Sequence, residues 1–353
     1  MKKYLAFLLA LMLVVSMISG CGAQNENINV ETEAAVVETP METPDEEPAE
    51  GEPAVAQVLP KVMVMSGPTG VGAAKLLADN ETTDTPIIAS AEVVADNEAV
   101  KNALVSGEVD IAAIATNMAS TLYNKTGGNI QVLAINTLGV LYILEKGDSV
   151  QNMTDLQGKT LYATGQGANP EYILNYLLTS NGVDPAEVDI QWMTAQEVTA
   201  KMTTEEAAIC MLPVPAATTV MMKDQGVREA ISLSEEWDKL GNGSLAQGCI
   251  VARKDYAQQN PQAVADFLAA YEASINYMND ENNREEAAKL VARYEITANA
   301  QVAAKAISSC NLVCIGGQQM KDILVSFFQV MHQANPASIG GALPEDDFYY
   351  GIG

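Results

Sequence analysis

The sequence predicts an α/β fold of two lobes, each a mostly parallel sheet flanked by helices. Three observations carry that prediction. Short apolar runs alternate with helix-patterned segments from Lys61 onward, at the spacing of βαβ units. The chain also repeats itself at an offset of 98 residues: Lys61-Val-Met-Val-Met-Ser-Gly67 falls on Lys159-Thr-Leu-Tyr-Ala-Thr-Gly165, and VSGEVDIAAIATNMASTL (105–122) falls on TTEEAAICMLPVPAATTV (203–220). Finally, roughly 290 residues exceed what one core comfortably serves and suit two.

Before the first strand come two segments of different character. Residues 1–20 read as an export signal: Lys2 and Lys3 precede an apolar core at 4–18, which ends at Ile18-Ser19-Gly20-Cys21. The core is short and closes on a small-residue cleavage site, so it is not a spanning helix. The four closing residues resemble a bacterial lipobox, which implies acylation of Cys21 and anchoring of the chain at a membrane. Residues 21–60 then form an acidic, proline-rich tether, with ten acidic residues and no Lys or Arg after Cys21. Such a segment buries too little apolar surface to offset its ordering entropy, and charge and proline keep it extended.

Strands are expected at 61–65, 110–115, 131–136, 140–145, 159–163, 188–193, 207–212 and 247–253. Helices are expected at 70–79, 97–106, 170–181, 195–203, 261–278, 283–294, 297–309 and 317–333. The 105–122 and 203–220 stretches each end in an alanine/threonine helix start. Asn169-Pro170 and Asn260-Pro261 carry helix-start chemistry, with Asn as the cap and Pro in the first turn.

The first strand, bend and helix, KVMVMSGPTGVGAAKLL (61–77), suggest a phosphate cradle but fail both strict tests. Gly67 and Gly72 have the P-loop spacing, yet Ala73 and Ala74 stand where its Lys and hydroxyl belong. Gly70 and Gly72 open a dinucleotide fingerprint, but Lys75 holds its third glycine position. What remains is a strand delivering N–H groups to a helix start, or simply a tight turn.

In open α/β sheets ligands sit beyond the carboxyl ends of strands. Four loops meet that description: Ser66-Gly-Pro-Thr-Gly70, Thr116-Asn117, Thr164-Gly-Gln-Gly-Ala-Asn169 and Pro213-Val-Pro215. Each repeat unit supplies two, so two facing lobes point all four at one cleft.

Composition excludes several function classes. The formal charge is −26, and −18 of it belongs to residues 61–353, which repels nucleic acid. His332 is the single histidine and has no Cys or His at metal spacing, which argues against a histidine metal site or a Ser-His-Asp triad. No metal or cofactor is expected. Cys210 and Cys249 lie in apolar runs and read as core, whereas Cys310 and Cys314 are the better disulfide candidates.

Several stretches resemble one family, over about residues 61–350. LVSGEVDIAAI resembles its helix–Gly–x–x–Asp–strand unit. LGVLYILEKGDSVQNMTDLQGKTLYATGQGANPEYIL resembles its crossover into a second lobe. VARKDYAQQNPQAVADFLAAY resembles its return, and NPASIGGALPEDDFYY resembles the tail of one subgroup. The family is that of ABC-importer substrate-binding lipoproteins of the nitrate/sulfonate/taurine and thiamine-precursor type, within the periplasmic-binding-protein type II superfamily. The resemblance implies a clamshell with lobe 1 at 61–145 and 247–353, lobe 2 at 146–246, and a hinge of two crossover strands near 140–144 and 248–253. It implies an extracytoplasmic, lipid-anchored monomer that delivers a small molecule to an ABC permease and its ATPase. Pyrimidine-synthesising enzymes of the superfamily carry a cysteine-rich motif and a histidine that this chain lacks.

Two ligand classes remain open. Sulfonate and nitrate relatives hold anions through backbone N–H groups at helix starts, a role available here to Ser66, Gly67, Thr69 and Gly70. Glu171 already occupies the positive end of the facing helix, and no Arg or Lys lies in the four loops. A pyrimidine-like heterocycle would instead use the amides of Asn117, Gln166 and Asn169, with Gly167 beside them and Tyr142 or Tyr172 as a stacking face. Pro213 and Pro215 would shape the wall. Two other classes stay in view: a surface enzyme, which needs a base such as Lys75 beside Ser66 or Thr164, and a structural lipoprotein.

Overall fold

The computed structural model describes residues 58–352. The expected signal, Cys21 and nearly all of the tether lie outside the described residues. The first repeat unit runs β1 (Lys61–Met65), α1 (Pro68–Val71), α2 (Ala74–Thr82), β2 (Ser90–Val94), α3 (Asn97–Ser106), β3 (Ile111–Ala115), α4 (Thr116–Thr126) and β4 (Ile130–Thr137). The chain then crosses to β5 (Leu141–Lys146). The second unit is β6 (Thr160–Ala163), α5 (Asn169–Ser180), β7 (Asp189–Trp192), α6 (Ala195–Thr204), β8 (Ala208–Pro213), α7 (Ala216–Lys223) and β9 (Val227–Ser232). After α8 (Leu233–Lys239) it returns through β10 (Gly248–Arg253). There follow α9 (Lys254–Gln259), α10 (Pro261–Asn279), α11 (Arg284–Arg293), α12 (Ala300–Ala306), β11 (Leu312–Ile315) and α13 (Gly317–Ala334).

The 98-residue offset governs the architecture. Shifted by it, α3 lands on α6, β2 on β7, β3 on β8 and β4 on β9. Two sheets result, ordered β11-β4-β10-β3-β1-β2 and β7-β6-β8-β5-β9. In the first, β1 pairs parallel with β2 and β3; in the second, β6 pairs parallel with β7 and β8. Into each four-stranded repeat sheet the other lobe's outgoing strand inserts in reverse: β10 runs antiparallel to β3 and β4, and β5 antiparallel to β8 and β9. Strand directions are thus mostly parallel, as expected, while the hydrogen-bonded ladders are mixed. Because β5 pairs in the second sheet, the first passage between sheets falls at 138–140.

The helix expected at 70–79 is two helices. Ser274, buried on α10, enters the backbone: its hydroxyl donates to the Gly72 carbonyl at 2.6 Å and accepts from Leu76 N–H at 3.0 Å, the pair an unbroken helix would join directly. The glycines here serve packing. A Cβ on Gly70 would stand 2.2 Å from the Met65 carbonyl oxygen, and one on Gly72 would stand 2.3 Å from Ile275. The bend is therefore a close-packed strand-to-helix turn.

A continuous apolar core runs through both sheets. Its seam between lobes is aromatic: Trp237 on α8 meets Tyr176 on α5 and Phe327 on α13, at ring-centroid distances of 5.2 and 5.7 Å. All four described cysteines are free thiols, Cys310 and Cys314 included. Burial pushes the Cys210 and Cys310 thiols up to about 12, so both behave as core side chains. His332 sits in the last turn of α13.

Candidate ligand-binding site

The carboxyl ends of β1, β3 and β4 and the start of β10 share one edge, since Gly248 pairs with both Ala115 and Thr137. Gln247, just before β10, ties the two passages between lobes together. Its Oε1 accepts from Val140 N–H at 2.6 Å, its N–H donates to Thr137 O at 3.0 Å, and its carbonyl accepts from Thr116 N–H at 3.2 Å. Asn311 completes the clasp: its carbonyl accepts from Leu138 N–H at 3.1 Å and its side chain donates to Gly139 O.

Asn169 reaches this cluster from the other lobe. Its Nδ2 donates to Thr116 Oγ1 at 3.0 Å and to Gln247 O at 3.1 Å. The expected capping role is not met: α5 begins at Asn169 itself, with Ala168 before it and no side-chain cap, and the Asn169 NH2 group is held across the lobes. Asn260 likewise makes no cap and instead donates to Tyr256 O. On the lobe 1 side, Asn136 Nδ2 donates to Thr69 O at 2.9 Å and to Tyr271 OH at 3.0 Å. Gly248 has room for no side chain: a Cβ would stand 2.4 Å from Thr69 Cγ2 and 2.6 Å from Asn136 Oδ1.

Four polar atoms, on residues that touch Gln247 or Gly248 or, for Asn117, on the neighbour of Thr116, are buried without a hydrogen-bond partner in the protein: Asn117 Oδ1, Asn136 Oδ1, Thr137 Oγ1 and Asn169 Oδ1. Buried polar groups normally find partners, so four orphans at one juncture mark it out. Asn117 is the second residue of α4, which has 11 residues and no acid in its first turn.

The expected site residues divide. Thr69, Asn117 and Asn169 belong to this juncture. Ser66, Gly67 and Gly70 lie at the end of β1, but their N–H groups donate to Val94 O, Ile296 O and Gly67 O. Ser66 also borders a surface groove of about 700 Å3 with Asn80, Glu81, Glu92 and Arg293. Gln166 and Gly167 are exposed, and Gly167 N–H donates to the Glu171 carboxylate. Pro215 is half-buried and its carbonyl accepts from Thr219 Oγ1 at 3.2 Å, so it shapes the start of α7. Tyr142 is half-buried, and burial, with Glu229, Cys310 and Glu235 nearby, raises its hydroxyl above the usual tyrosine value. Tyr172 is raised by burial and then by Glu171. Lys75 pairs with Asp79 and lies over the Tyr277 ring, so its ammonium is held by a carboxylate. Asn136, Thr137 and Gln247 were not expected. Asn136 closes one foreseen strand, Thr137 follows it and Gln247 opens another, and those positions alone were their signal. Among the described residues no group of three or more His, Cys, Asp or Glu is placed to hold a metal ion.

A family model described as NMT1/THI5 like matches residues 92–285, more than half of the 353. The chain belongs to the NMT1/THI5-like family. Solved structures share its fold. An ABC transporter protein from Parabacteroides distasonis superposes with a TM-score of 0.69 at 24% identity, covering 82% of this chain and 98% of its own. The periplasmic aliphatic sulphonate-binding protein SsuA of Escherichia coli gives 0.66 at 15% identity, covering 83% and 96%. The alkanesulfonate-binding protein SsuA of Xanthomonas axonopodis, bound to MOPS, gives 0.60 at 14%, covering 78% and 92%. No curated protein sequence matches the chain. The NMT1/THI5-like match runs from β2 to the start of α11, so it takes in Thr116, Asn117, Asn136, Thr137, Asn169 and Gln247.

Proposed function

We propose that the chain is an extracytoplasmic solute receptor, lipid-anchored through Cys21, which closes its two lobes on a small polar molecule and passes it to an ABC permease and ATPase. One observation carries the reading: four buried polar atoms lack partners where both passages between lobes meet. A site made of hinge residues couples occupancy to lobe closure, because a solute bonded there bridges both lobes and favours the closed arrangement. The names of the structural neighbours, an ABC transporter protein and two sulphonate-binding proteins, agree with this use of the frame. The receptor works as a monomer, without catalysis.

Two results test it. A solute at one hundred times its dissociation constant adds about 2.7 kcal/mol to stability, so thermal shifts across a small-molecule panel reveal binding. Asn117→Ala is expected to weaken that binding about tenfold, roughly 1.4 kcal/mol; unchanged affinity removes Asn117 from the site. Anchoring is tested separately. Cys21→Ser is expected to leave folding intact and move the protein from the membrane fraction to the soluble fraction, and a variant that still sediments with membranes contradicts acylation at Cys21.

A further inference from the structure

We infer that the solute presents N–H donors to amide carbonyl oxygens and carries no negative charge, in contrast to an oxyanion received by backbone N–H groups. The inference rests on the receptor reading above and narrows the chemistry of the same site.

The orientation of two amides is fixed by their neighbours. Asn136 Nδ2 faces the Thr69 carbonyl at 2.9 Å, and Asn169 Nδ2 faces the Gln247 carbonyl at 3.1 Å. A backbone carbonyl only accepts, so the NH2 end of each side chain must lie there and the oxygen is the end left over. Both oxygens are buried and unpartnered, as is that of Asn117. These side chains are 0%, 2% and 5% exposed, so bulk water does not serve them. An unpaired buried acceptor carries a desolvation cost that only a donor relieves. A sulfonate or nitrate brings acceptors alone and would add to the cost.

Four of the N–H groups that could receive an oxyanion are already spent. Ser66, Gly67, Gly70 and Thr116 donate to backbone carbonyls. Gly167 donates to Glu171, whose carboxylate occupies the first turn of α5, where an anionic solute would otherwise be favoured. Charge points the same way. None of Thr69, Asn117, Asn136, Thr137, Asn169 and Gln247 is cationic. An anion placed here would give up hydration without a countercharge.

Asn117→Asp separates the alternatives. The change is nearly isosteric, keeps an acceptor, adds a negative charge and breaks no side-chain hydrogen bond made by Asn117. The full-length protein and its Asn117→Asp and Asn117→Ala variants are titrated calorimetrically with cytosine and acetamide, which are uncharged and bear N–H groups, and with nitrate and methanesulfonate, which only accept. The expected result is binding of an uncharged probe that Asn117→Asp changes by less than about threefold and Asn117→Ala weakens about tenfold, with no binding of either anion. Anion binding to the unsubstituted protein that Asn117→Asp weakens by more than about tenfold overturns the inference and leaves the receptor reading standing. Binding that ignores both substitutions, or no binding of any probe, overturns the receptor reading at this site together with the inference.

Discussion

Replacing Trp237 with alanine is expected to cost about 3–5 kcal/mol of folding stability, the range for removing a large buried aromatic. Trp237 is fully buried and stands between Tyr176 of its own lobe and Phe327 of α13. Truncation removes its buried area and both ring contacts at once, and the flanking helices of two lobes cannot both collapse into the gap. Its Nε1 has no hydrogen-bond partner. Trp237→Phe, which drops that unpaired donor and keeps most of the ring volume, is therefore expected to lose much less. Urea unfolding of both variants checks this. A loss below about 1 kcal/mol for the alanine variant would mean the seam does not hold the lobes together.

Glu145→Gln is expected to cost about 1.5–3 kcal/mol at neutral pH, the worth of hydrogen bonds to a charged group. Glu145 is 2% exposed at the end of β5. Its carboxylate accepts from Ser149 N–H at 2.7 Å, Ser149 Oγ at 2.6 Å, Val150 N–H at 3.1 Å and Arg228 Nη2 at 2.6 Å. Burial alone would raise its pKa, but the bonds from Ser149 and Val150 and the charge of Arg228 outweigh burial and lower it from 4.5. A folded-state pKa below the unfolded one gives stability that is fully present above the unfolded value and lost as pH falls through the folded value. The gap between the natural protein and Glu145→Gln should therefore be complete at neutral pH and close progressively below 4.5. A gap of constant size at both ends of that range would show that the charge is not what Glu145 contributes.

Much of the frame was legible because it is written twice. The offset of 98 read from two matches holds for four pairs of elements, and it contains information that strand patterning alone did not yield. Strands β2, β9 and β11 escaped notice, and all three are sheet edges. SAEVV at β2 is exposed over its first three residues, so it lacks the apolar signal of a central strand. Yet sliding the expected strand at 188–193 back by 98 residues lands on β2, and sliding 131–136 forward lands on β9. The short β11 has no counterpart in the second repeat.

The site was harder to read because its residues act on partners distant in sequence. Gln247 bonds to Val140, 107 positions away, and Ser274 breaks a helix 198 to 202 positions upstream. Neither position carries a local motif. The glycine-rich bend misled for the same reason: Gly70 and Gly72 answer to Met65, Tyr271 and Ile275 packed beside them, and the N–H groups of Ser66, Gly67 and Gly70 are already bonded. Asn117 and Asn169 stood out in the sequence because loops beyond strand ends are where α/β sheets place polar side chains that meet ligands.

Hydrogen exchange of the full-length protein, with and without the panel molecule that stabilises it most, tests the central claim most directly. The account predicts concerted protection at residues 116–118, 136–140, 166–170 and 246–248, because one solute at the hinge orders segments of both lobes. Protection confined to one lobe, or centred on the groove formed by 89–95 and 293–295, would contradict it.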